Sequence, residues 1–150
     1  IRVGWWASAI PGLGLVGAGS LWPVAPVVAL RPAVHPIAAS TSPLVLRFGK
    51  PMRFLQREIV CLPLDPHGAL RTLHERLRTS GLSFAAARYP FTPHCTLSFY
   101  PTITPESLKE MLRVREDGEW TLRTLRVYHT RDPQPPTLLF DVHLGEPVVR

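Results

Sequence analysis

The sequence has little cysteine, little charge, and no long run of charge of one sign. Its two cysteines, Cys61 and Cys95, are far apart and form no C-x-x-C pairing. That excludes a readable zinc framework or disulfide scaffold. Both sit in apolar, strand-like runs, where a free thiol packs as a small hydrophobe. A reducing, cytoplasmic compartment is the simpler expectation. Charged residues make up 19% of the chain, slightly low for a globular protein. They form no dense basic block, which excludes an RNA-binding tail. Between Arg2 and Arg31 there is no charged residue at all.

That uncharged stretch is long enough to cross a bilayer. It reads ASAIPGLGLVGAGSLWPVAPVVAL, with Pro11, Pro23 and Pro26 and Gly12, Gly14, Gly17 and Gly19 spread through it. Proline removes helical hydrogen bonds and glycine weakens the helix, so no membrane-spanning helix and no stable membrane association are expected. A signal peptide would need a basic start and a compact apolar core. Residues 1–40 are therefore read as an irregular Gly/Pro-rich apolar segment, and residues 41–150 as the folded domain.

What the sequence does have is proline, arginine and short apolar runs. A chain of 150 residues with 45% hydrophobic content builds one domain with a real core. The 17 prolines cut it into short elements. The net charge of +6 and pI near 10.1 suit an anionic partner such as a nucleotide or RNA. Most of that charge is arginine, which binds phosphate bidentately where lysine does not.

Apolar periodicity predicts strands over 43–49 (PLVLRFG), 57–64 (REIVCLPL) and 93–99. It also predicts one long strand over 119–130 (EWTLRTLRVYHT) and a last one over 136–145. Leu70, Leu73 and Leu77 recur at helical spacing, giving a helix near 67–79 with Gly81 as its stop. A second helix, near 105–113, opens on Thr104 as cap, Pro105 in the first turn and Glu106 beside it. The order β-β-α-β-α-β-β implies an α+β domain of mostly antiparallel sheet with flanking helices.

The chemistry concentrates in TPHCTLSFYP, residues 92–101. On a strand, residues two apart share a face, so His94 and Thr96 project together while Cys95 and Leu97 turn the other way. Such a pair suits phosphoryl chemistry. An imidazole gives or takes a proton near neutrality, and a hydroxyl beside it donates to a phosphoryl oxygen as charge builds there. A second histidine opposite would complete the acid–base pair, and the scheme needs no metal and no cofactor. About one histidine in eight carries Ser or Thr two places on by chance, so context decides: this pair follows Pro, precedes Leu, and comes after a strand–helix unit containing LHERL.

With those neighbours the chain resembles the 2H phosphoesterase superfamily, which includes the 2′-5′ RNA ligase-like proteins and cyclic phosphodiesterases. The resemblance runs from about Pro43 to Leu144, through PLVLRFG, REIVCLPL, LHERL, PHCTL, LRTLRVYHT and TLLFDVHL. It implies a two-lobed α+β fold in which each lobe sends one H-x-[ST] strand to a central groove. It implies His94 as catalytic acid or base and Thr96 as phosphate binder. The family's first H-x-[ST] strand has no counterpart: at the matching place GAGSLWP puts Gly17 where His belongs and Gly19 where Ser or Thr belongs. The N-terminal lobe is thus expected to be incomplete or divergent. Either the groove binds without turnover, or residues before about 30 do not represent the family's reading of that region.

Tyr100 and Tyr128 could stack on a base, and His129 ends a strand beside the groove; these three are the candidate substrate contacts. His35 precedes a proline and reads as a surface residue. His74 is expected to be exposed on its helix, and His67 and His143 have no partner pattern. Arg123 and Arg126, three apart on a strand, face opposite sides, so at most one faces a groove. The expected function is metal-independent cleavage or ligation of a 2′-5′ or 2′,3′-cyclic phosphodiester of RNA or a nucleotide. The rivals are a non-catalytic nucleotide- or RNA-binding module of the same fold, and a protein held to membranes by residues 4–30.

Overall fold

A computed structural model of the chain describes residues 2–10, 13–18, 27–54, 59–65, 67–82, 84, 90–99, 103–131 and 134–145. In chain order the elements are β1 (Arg2–Ile10), β2 (Leu13–Ala18), α1 (Val27–Ala39), β3 (Leu44–Arg47), β4 (Met52–Arg53) and β5 (Ile59–Pro63). They continue with α2 (Ala69–Arg78), β6 (Thr92–Phe99), α3 (Pro105–Met111), β7 (Glu119–Leu122), β8 (Thr124–Arg131) and β9 (Gln134–His143). Seven strands form one sheet in the order β4-β5-β6-β2-β1-β8-β9, and β3 pairs with β7 in a separate ribbon. Every pairing is antiparallel. The α+β class read from the sequence is the class observed.

One face of the large sheet is closed by helices. Leu30, Val34 and Ala38, one helical turn apart on α1, pack with Leu73 and Leu77 of α2. They meet Leu125 and Val127 of β8, Phe140 and Val142 of β9, and Leu44, Leu46 and Leu122 of the ribbon in one buried cluster. The Arg31 guanidinium lies over the Phe140 ring, 4.6 Å from its centroid. At the end of α2, Gly81 takes φ of +86°, a left-handed conformation that glycine adopts without steric cost. The start of α3 is fixed by a capping box: Thr104 accepts from the Ser107 amide, and Ser107 accepts from the Thr104 amide. No residue of α3 is buried.

Two expectations need correction. The described part of residues 1–40 is not irregular: β2 and β1 lie in mid-sheet between β6 and β8, and 27–39 is a helix that contains Pro32 and Pro36. Both prolines are on its exposed side, so the helix turns its two lost amide bonds away from the core. The long strand expected over 119–130 is two strands, broken at Arg123, where the chain leaves the ribbon for the large sheet. Leu122 and Leu125, three apart and both buried, need that break to face one core. Among the described residues, no helix is long and apolar enough to cross a membrane.

Candidate active site around His94

β6 runs between β5 and β2 in the large sheet. Pro93 and Cys95, on either side of His94 in the chain, are fully buried. Pro93 has no amide to give; its carbonyl instead accepts from the Leu64 amide at 2.9 Å. His94 is thereby carried into the interior with only 5% of its surface exposed, the one buried polar residue among those described.

The imidazole is held in one tautomer. Its Nδ1 lies 2.7 Å from the Thr92 carbonyl oxygen, and a carbonyl only accepts, so Nδ1 carries the proton. In the neutral ring Nε2 is then the atom with a free lone pair. The Phe54 ring stands edge-on to it, with centroids 5.2 Å apart and planes at 86°. Burial pushes the His94 pKa below its ordinary value, and the Thr92 hydrogen bond opposes this in part. At pH 7 the group is a neutral base.

Thr96 lies two residues on and shares the face. Its Oγ1 is buried and has no hydrogen-bond partner among the described residues. A buried hydroxyl left unpaired costs about 1–3 kcal/mol, and buried polar groups are otherwise nearly always satisfied. An unpaired donor beside a neutral base is what a phosphoryl oxygen would find useful.

The register across the sheet places the other candidates. His94 pairs with Val16, Val16 with Trp6, Trp6 with Arg126 and Arg126 with Asp141. Directly paired positions share a face, so Arg126, Tyr128 and Asp141 lie on the His94 side. Leu125, Val127, Phe140 and Val142 face the core. Tyr128 thus shares the face with His94. His129 does not: alternation puts it on the reverse side, where its Nε2 is buried without a hydrogen-bond partner among the described residues. Tyr100 and Gly19 lie outside the described residues. Gly17 pairs with Pro93, so the residue opposite His94 on β2 is Val16, and no imidazole or hydroxyl occurs on that strand.

The remaining histidines do not supply the missing partner. His143 shares the His94 face, but it sits on β9, four strand spacings or about 19 Å away, with its Nδ1 3.2 Å from the Thr124 hydroxyl. His35 is on α1, 3.5 Å from Arg31. His67 is exposed in the turn after β5. His74 corrects the expectation of exposure. Its side chain is only 11% exposed, with Nδ1 3.4 Å from Glu75 and its ring stacked on Phe91 at 4.1 Å. The contact missed from the sequence is Phe54, forty residues from His94; of the arginine pair, Arg126 is the one on the His94 face.

A family model of the 2′-5′ RNA ligase superfamily matches residues 20–134, most of the chain. The chain belongs to that superfamily. Its fold is similar to that of E. coli LigT, crystallised in complex with 3′-AMP. The TM-score is 0.61 and the identity 15%, over 97% of this chain and 98% of that one. It is also similar to a structure described as a phosphoesterase, with TM-score 0.58 and 17% identity over the same shares of each chain. A search of curated proteins returned no match.

Proposed function

We propose that this superfamily member binds a 2′,3′-cyclic or 2′-5′ phosphodiester of a nucleotide or RNA and acts on it without a metal or cofactor. The observation that carries the reading is the pair on β6: a neutral His94 with Nε2 free, and a buried, unpaired Thr96 hydroxyl on the same face. In hydrolysis of a cyclic phosphate, His94 Nε2 takes the proton of the attacking water. The Thr96 hydroxyl donates to a non-bridging phosphoryl oxygen as the charge there grows. The 2′ or 3′ oxygen leaves and must be protonated. Among the described residues the other histidine on that face, His143, is four strand spacings or about 19 Å away, so that proton comes from solvent or from the imidazolium just formed, and turnover is slow.

A non-catalytic nucleotide- or RNA-binding module is the second reading. It is favoured by β2, which sets Val16 opposite His94 where an acid would be needed. We infer a cytoplasmic setting as well, supported by two buried free thiols, Cys61 and Cys95.

The test is hydrolysis of a 2′,3′-cyclic nucleotide by the wild type beside His94→Ala, with and without EDTA. Slow turnover lost in His94→Ala and indifferent to EDTA is expected. Brisk turnover surviving His94→Ala removes His94 from the mechanism, and turnover lost on chelation removes the metal-free scheme. Binding without turnover selects the second reading.

A further inference from the structure

Resting on that reading of β6, we propose that Arg126 is a second anion subsite on the same sheet face, so that the preferred ligand carries two phosphates in series. Such a ligand is a dinucleotide or longer strand rather than a mononucleotide. The register makes His94 and Arg126 equivalent positions on one face, joined through Val16 and Trp6. No register shift interrupts that row, because the irregularity between β1 and β2 begins beyond Ala7. The bulge between β8 and β9 falls after Val127, on the far side of β8.

Three strand spacings separate β6 from β8, about 14 Å. That span is between backbones, and an anion held on the β8 side of the face is a different group from the one at His94 and Thr96. The core side of β8 is full, with Val127 entirely buried, which leaves the Arg126 side chain on the site face. Among the described residues Arg126 has no ion-pair partner. Its register partner Asp141 is exposed and lies one strand further from His94. Tyr128 is on the same face two residues along, at the level of Gly4. In this reading its ring stacks on the base attached to the second phosphate, since base–aromatic stacking tolerates any base. A planar guanidinium gives the fork that a phosphate accepts.

Binding is measured by calorimetry for a 2′,3′-cyclic mononucleotide and for a dinucleotide ending in a 2′,3′-cyclic phosphate. The proteins are wild type, Arg126→Gln, Arg126→Lys and His94→Ala, at two salt concentrations. The wild type is expected to bind the dinucleotide about tenfold tighter. Arg126→Gln should bring the dinucleotide down to the mononucleotide level and leave the mononucleotide unchanged, with Arg126→Lys between. The salt slope for the dinucleotide should fall by about 0.7, the single-strand value for one phosphate contact. Equal losses on both ligands would place Arg126 at the same phosphate as His94 and overturn the second subsite, as would no loss on either. If His94→Ala also leaves both affinities untouched, or if the wild type binds neither ligand, the reading of β6 falls and the subsite with it.

Discussion

At the scale of the residue, the site is defined by what each polar atom is bonded to. His94 has one nitrogen committed to the Thr92 carbonyl and one free, with the Phe54 ring against its flank. If His94 is the base, the rate falls as pH drops through its pKa, which burial holds below the ordinary value. Phe54→Ala admits water and relieves that burial, so the acid limb of the pH–rate profile should move to higher pH. A profile that stays in place would disconnect Phe54 from the base. His94→Ala should cost about 10²–10⁴-fold in turnover, the usual contribution of an acid–base group. Thr96 is expected to behave in the opposite way for folding and for binding. Thr96→Val removes a buried hydroxyl that has no partner, so thermal stability should hold or rise by up to about 1 kcal/mol. Affinity for the cyclic nucleotide should drop at the same time. A variant that loses stability and keeps its affinity would show that the hydroxyl is satisfied in the fold and idle in the site.

At the scale of the element, legibility followed local signals. β6 was readable because a period of two put the chemistry on one face and Cys95 on the other. α3 was readable because Thr104, Pro105 and Glu106 spell a helix start. α1 was not, although Leu30, Val34 and Ala38 have helical spacing: Pro32 and Pro36 argued against a helix. Tertiary packing overrides them, because the three apolar residues are 0–1% exposed while the prolines face outward. Leu30→Ala should therefore destabilise by about 2–5 kcal/mol. Pro36→Ala should stabilise, by up to about 3 kcal/mol, since it restores an interior helical amide. Denaturant unfolding of the two variants would show whether 27–39 is held by packing alone. The break at Arg123 was hidden because β7 and β8 abut with one residue between them. The partners of His94 across the sheet were hidden for another reason. Which strands flank β6 depends on β2 and β1, and Gly and Pro made that region look irregular.

At the scale of the whole molecule, burial of two histidines couples the fold to pH. His94 and His74 are both held below their ordinary pKa, in each case chiefly by burial. For His74, the Glu75 carboxylate pulls the other way. The unfolded chain takes up these protons first as pH falls, so it binds more protons than the native state over that interval. Stability is then fully present above the ordinary histidine value near 6.5 and is lost as pH falls below it. The slope is at most about 1.4 kcal/mol per pH unit for each histidine. Glu75 acts in a lower window: Arg78 holds its carboxyl below 4.5, so its contribution is present above that value and disappears as the group protonates. Unfolding free energy measured from pH 8 to pH 5 should be flat at first and then decline from about pH 6.5. His74→Phe, which keeps a ring against Phe91, should flatten part of the decline, and His94→Gln another part. Because the two histidines lie on separate elements, α2 and β6, the double variant should show the sum. A decline unchanged by either substitution would mean that both imidazoles already titrate as they do in the unfolded chain. The buried, neutral His94 on which the catalytic reading depends would then be lost as well.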